Sequence, residues 1–132
     1  MSIWGRRVSV KAVAAVAALM VMAALLPVMT RGADREVTLV ARGMSFFLES
    51  DPRTPNPTLR FEAGETVRLV LKNQDRGMTH DFSAPALDAG LALIDWNGED
   101  STTLEVPSEP GTYEYFCNPH RLMMRGTITV VR

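Results

Sequence analysis

The chain has 132 residues, enough for one domain and little more, with 14 basic and 15 acidic side chains and a formal net charge of −1. Without a basic excess it lacks the electrostatic footprint of a nucleic-acid-binding protein. A single cysteine, Cys117, excludes an internal disulfide framework, and two histidines, His80 and His120, exclude any site built on a larger histidine cluster.

The N-terminal segment reads apart from the rest. Arg6, Arg7 and Lys11 precede an uncharged run from Ala12 to Met29, broken only by Pro27. A basic start followed by an apolar stretch is the pattern of an export signal. The run is also close to the shortest length that spans a bilayer, so a cleaved signal and a retained anchor through residues 12–29 both fit. Arg6-Arg7-Val8-Ser9-Val10-Lys11 resembles the twin-arginine export motif, with Ser9 where an aromatic residue is expected; an ordinary secretory signal fits as well. We set residues 1–33 aside as this segment and take residues 34–132 as the domain. The domain keeps ten basic and fifteen acidic residues, a net charge of −5. With the basic end left inside, it is expected in the periplasm or another extracytoplasmic compartment.

Within the domain, alternation of apolar and polar residues dominates, and no long helical period appears. Glu36 to Ala41 reads as a first strand, ended by Arg42-Gly43, and Met44 to Glu49 as a second. Asp51 to Pro57 holds three prolines and reads as a loop. Thr58 to Glu62 is a short strand closed by the Ala63-Gly64 turn. Thr66 to Lys72 places Val67, Leu69 and Leu71 on one face, and Asn73 to Gly77 is a turn cluster. Met78 to Ser83 is a strand that carries His80. Ala84 to Gly98 shows no clear period, and is read as a short helix or an irregular crossover containing Trp96. Thr102 to Val106 is a strand, and Pro107 to Gly111 a turn. From Thr112 to Cys117 a period of two puts Tyr113, Tyr115 and Cys117 on one face. Gly126 opens the last strand. Seven or eight short strands at this spacing indicate an all-β, antiparallel β-sandwich. Its core is expected to hold Val37, Leu39, Phe61, Val67, Leu69, Leu71, Phe82, Tyr113, Tyr115, Ile128 and Val130.

The chemistry concentrates near the C-terminus. Cys117-Asn118-Pro119-His120-Arg121-Leu122-Met123-Met124 packs a thiol, an imidazole and two thioethers into eight residues, and His80 lies upstream in another strand. Taken singly, each has an ordinary role: a strand histidine is usually hydrogen-bonded or at the surface, a lone cysteine is usually a small buried hydrophobe, and adjacent methionines fill gaps. Taken together they form a soft-to-borderline donor set that suits copper rather than calcium or magnesium. Two histidines and a cysteine with a weak axial methionine is the blue-copper arrangement.

Gly111-Thr112-Tyr113-Glu114-Tyr115-Phe116-Cys117-Asn118-Pro119-His120, followed by Met124-Arg125-Gly126-Thr127-Ile128-Thr129-Val130, resembles the C-terminal copper loop of the cupredoxins, the group that includes plastocyanin, amicyanin, pseudoazurin and azurin. The resemblance runs from about Val37 to Val131, is strong in the loop and thin elsewhere. It implies a Greek-key β-sandwich or barrel and a single type 1 copper ion held by His80, Cys117, His120 and an axial methionine. The Met-x-Gly pattern before the last strand selects Met124, whereas the two-residue gap of amicyanin would select Met123. Family members usually carry Asn after the first histidine, hydrogen-bonded to a Ser or Thr after the cysteine; Asp81 and Asn118 stand at those places here, which suggests the same link with donor and acceptor exchanged.

The function so implied is one-electron transfer between redox proteins of the cytochrome or copper/haem oxidase type, docking near His120 as a monomer. Pro119, Leu122 and Met123 would surround that edge as a small apolar patch, with Arg121 and Arg125 as a basic rim or as plain solvated side chains. The alternative is a copper-binding carrier or tolerance protein that passes no electrons. An enzyme is not expected, because a second, catalytic copper needs further histidines and the chain has two.

Overall fold

The computed structural model describes residues 32–132. The export motif, the apolar run and the anchor expected within residues 1–31 lie outside the described residues. Among the described residues, no helix is long and apolar enough to cross a membrane.

The described residues form nine strands: β1 (Arg35–Arg42), β2 (Ser45–Leu48), β3 (Leu59–Glu62), β4 (Thr66–Asn73), β5 (His80–Ala84), β6 (Ala89–Ile94), β7 (Glu99–Glu105), β8 (Gly111–Phe116) and β9 (Arg125–Val131). They form two sheets, in the orders β2-β1-β4-β7 and β3-β9-β8-β5-β6. The all-β sandwich expected from the sequence is therefore observed, with one refinement. Most neighbours are antiparallel, but β1 pairs with β4, and β3 with β9, in parallel. The proline-rich loop before β3 carries the chain to the second sheet, so β4 returns beside β1 running the same way.

Nine of the eleven expected core residues are buried, while Val37 and Tyr113 are half-buried against the core. At its centre the Tyr115 ring lies 5.7 Å from Phe82 in a stacked arrangement and 5.5 Å from Phe46 in a tilted one. Its hydroxyl donates to the Pro57 carbonyl at 2.6 Å, satisfying a buried polar group and holding the proline-rich loop down. Tyr115 precedes Cys117 by two residues, so both side chains face the same way, and both are fully buried.

The stretch Ala84–Gly98 differs from expectation. A single 3-10 turn, Pro85–Leu87, is followed by a strand, β6, at the sheet edge, whose pairing with β5 shifts register between His80 and Phe82, and Trp96 sits in the turn after it. Ala-Gly-Leu-Ala-Leu-Ile contains no polar residue, so this strand shows no period of two by which to read it. The β1–β2 hairpin turns through two left-handed residues, Gly43 (φ 57°) and Met44 (φ 61°). That is the geometry of the two-residue hairpin loop whose twist matches the strands.

Candidate metal centre

Strand ends assemble the site. His80 opens β5, and Cys117 follows β8 directly. A 3-10 turn, Asn118–His120, then reverses the chain, helped by Pro119. The loop closes on itself: Cys117 N–H donates to the Met124 carbonyl at 3.0 Å, and Met123 N–H and Met124 N–H both donate to the His120 carbonyl, at 2.9 and 2.8 Å. Asn56, in the proline-rich loop, adds a clamp by donating through Nδ2 to the Met123 carbonyl at 3.0 Å. This tight turn folds His120 back over Cys117.

His80, Cys117 and His120 thus come together, with one nitrogen or sulfur atom from each lying within 4.8 Å of the others. Cys117 Sγ is 3.8 Å from His80 Nδ1 and 3.5 Å from His120 Nδ1. The two rings meet edge to face with centroids 4.9 Å apart. Sulfur and nitrogen donors about 2.3 and 2.0 Å from one ion at trigonal angles would stand about 3.7 Å from each other. The three donors therefore fit one shared metal ion as they stand. His80 and Cys117 are fully buried and His120 is half-exposed. Met124 is fully buried beside Cys117, whereas Met123 is 59% exposed.

Asp81 is 7% exposed, and its carboxylate accepts from Asn118 N–H (2.7 Å) and Asn118 Nδ2 (2.9 Å). The link between the residue after His80 and the residue after Cys117 is present, with the amide as donor and the carboxylate as acceptor. Burial, foremost, pushes the Cys117 thiol above its ordinary value. The Asp81 charge pushes the same way, against the backbone amides of Asp81 and His120. A thiolate here therefore needs a cation to hold it.

Asp75 is the residue that sequence reading did not single out. Its Oδ2 lies 2.8 Å from His80 Nε2, on the side of the ring away from Cys117. Burial raises its carboxyl, but hydrogen bonds from Gly43 N–H, Met44 N–H and His80 outweigh that and hold it below the ordinary value. Of the two arginines read as a basic rim or as solvated side chains, Arg125 pairs with Glu114 at 2.9 Å, and Arg121 lies over the Phe116 ring with Glu114 4.0 Å away.

Comparisons with known proteins bear on the family and the fold. Chloroplastic plastocyanin of Physcomitrium patens is 38% identical over 79 residues, covering 52% of this chain and 44% of its own length. The chain thus spans less than half the length of that relative. Among solved structures, auracyanin B superposes with a TM-score of 0.63 at 23% identity, over 79% of this chain and 94% of its own. Rusticyanin from Thiobacillus ferrooxidans gives a TM-score of 0.59 at 23% identity, over 76% and 79%. At that identity the likeness establishes the fold. The profile of the cupredoxin-like domain matches residues 14–130, nearly the whole sequence, and the chain belongs to that family.

Proposed function

We propose that the chain is a one-electron carrier built around a single type 1 copper ion, with His80, Cys117, His120 and Met124 as the ligands. The observation that carries this reading is the cluster of two imidazole Nδ1 atoms 3.8 and 3.5 Å from one buried thiol. When bound, copper supplies the Cu(II)/Cu(I) couple and holds Cys117 as the thiolate. The chain does the rest. Cys117, His80 and His120 present their donors from a strand end and a hydrogen-bonded turn, so little needs to move when charge changes at the site. Met124, the buried thioether of the loop, would supply the weak fourth donor, while Met123, turned to solvent, is outside the ligand set.

His120 is the half-exposed member, and its outer edge is the electron port. Around it Pro119, Leu122 (93% exposed) and Met123 form an apolar surface, with a shallow cavity of about 360 Å³ that Met44 also borders. A small apolar contact of this kind suits brief encounters with a redox protein of the cytochrome or copper/haem oxidase type. Residues 1–33 serve as the export segment or anchor, and residues 34–132 work as a monomer outside the cytoplasm. An enzymatic role is not part of this reading, since both histidines of the chain are used here.

The test is the electron self-exchange rate of the copper-loaded chain, measured by NMR line broadening in mixtures of its two oxidation states. Fast exchange with a reversible one-electron couple is expected. A chain that binds copper tightly yet exchanges electrons slowly or irreversibly would be a copper carrier instead.

A further inference from the structure

A carboxylate outside the proposed ligand set is built into the centre. Asp75 lies in the turn between β4 and β5, five residues before His80. Its Oδ1 accepts from Gly43 N–H at 2.6 Å and its Oδ2 from Met44 N–H at 3.1 Å, and His80 Nε2 lies 2.8 Å from Oδ2, an ionised oxygen that can only accept. Gly43 and Met44 are both left-handed, so their successive N–H groups converge into one concavity, a backbone arrangement suited to an anion. The Asp75 backbone is held as well. Asp75 N–H donates to Asn73 Oδ1 at 2.8 Å, and the buried Asn73 donates through Nδ2 to the Met78 and Ile94 carbonyls, at 2.7 and 2.9 Å.

An imidazole has two tautomers, and the hydrogen bond at one nitrogen decides whether the other is free to bind a metal. With Nε2–H given to Asp75, the lone pair of His80 is on Nδ1, the atom facing Cys117 Sγ. We propose that Asp75 is a positioning residue of the metal centre: its carboxylate fixes the His80 ring in the tautomer with Nδ1 free, and ties that ring to the Gly43–Met44 hairpin tip. Met44 in turn borders the surface cavity beside His120, so the same carboxylate joins the buried imidazole to the exposed face of the site. The effect on a bound ion rests on the copper reading above, but the tautomer claim concerns the metal-free chain and stands by itself.

The experiment uses the full chain and its Asp75→Ala and Asp75→Asn variants. Long-range ¹⁵N–¹H NMR of the metal-free proteins reads the His80 tautomer, and Cu(II) titration and voltammetry read affinity and potential. Wild type is expected to hold His80 in the Nε2–H form alone. Asp75→Ala should mix the tautomers and weaken Cu(II) binding roughly ten- to a hundredfold, the usual cost of losing a partner behind a ligating histidine. Asp75→Asn keeps a carbonyl acceptor and should keep the tautomer, while the lost negative charge raises the potential. If Asp75→Ala leaves the tautomer and Cu(II) affinity unchanged and lowers only thermal stability, Asp75 is a hairpin anchor and the proposal fails. If that variant does not fold, wild-type His80 found in the Nδ1–H form, or as a mixture of the two, overturns it equally. Should wild type bind no Cu(II), the function proposed above falls, and the tautomer result alone decides the role of Asp75.

Discussion

Replacing Asp81 by Asn tests how the ligand loop is held, without any metal. The Asp81 carboxylate accepts from both the backbone and the side chain of Asn118, at 2.7 and 2.9 Å, and is almost fully buried. In Asp81→Asn one oxygen can still face the backbone N–H, now as a neutral acceptor, while the new amide NH₂ is set against the NH₂ of Asn118. Hydrogen bonds to a charged group contribute about 1.5–3 kcal/mol and neutral ones about 1 kcal/mol. Weakening one bond and losing the other, offset in part by the smaller desolvation cost of a neutral group, gives a loss of about 2–3 kcal/mol. For a domain of this size that lowers Tm by roughly 10–20 °C. The assay is thermal unfolding of the metal-free chain by circular dichroism, so that ligand binding does not mask the change. Adding Asn118→Ser gives the new amide a hydroxyl acceptor, and the double variant should recover at least half the loss. A single variant within about 2 °C of wild type, or a double variant no better than the single, would refute the reasoning.

Three other outcomes follow from the same geometry. Met124→Leu should keep copper but raise the reduction potential, whereas Met123→Leu should change neither; voltammetry showing the reverse would move the axial role to Met123. Gly126→Ala should cost about 1–3 kcal/mol in urea unfolding, the usual penalty of overpacking. A Cβ there would lie 2.5 Å from Tyr115 Cζ and closer still to its hydroxyl, and that ring is held by Phe46, Phe82 and the Pro57 carbonyl. Burial pushes the Tyr115 phenol well above its ordinary value, so the folded chain keeps this proton to higher pH than the unfolded chain does. Its contribution is complete below about pH 10 and is lost as the pH rises beyond that. Tyr115→Phe should therefore be less stable at neutral pH but show a shallower loss of stability in alkali, and an equally steep loss would contradict the assignment.

Much of this molecule is legible in its sequence because its strands obey simple periods. Val67, Leu69 and Leu71 alternate with exposed or half-exposed partners as a one-sided strand requires, although Val70 on the other face is also covered. The donor set is legible because the chain offers a single cysteine and two histidines. β6 was hidden because an edge strand of uniformly apolar residues has no polar face to mark its period. The parallel pairings of β1 with β4 and β3 with β9 were hidden because strand direction depends on where a long connection crosses, not on local pattern. Asp75 looked like one polar residue in a turn cluster. Its role appears only when the Gly43–Met44 tip, 31 or 32 positions away in sequence, is folded against it. The choice between Met123 and Met124 depends on the register of β9, and the fold buries the residue that Met-x-Gly selects.

Whether Cys117 binds copper as a thiolate between His80 and His120 is read from the visible absorption spectrum of the chain, titrated with Cu(II) beside its Cys117→Ser variant. An intense blue thiolate-to-copper band that saturates at one equivalent and is absent from the variant is expected. A wild-type titration with no charge-transfer band, or a variant that keeps the colour, would contradict it.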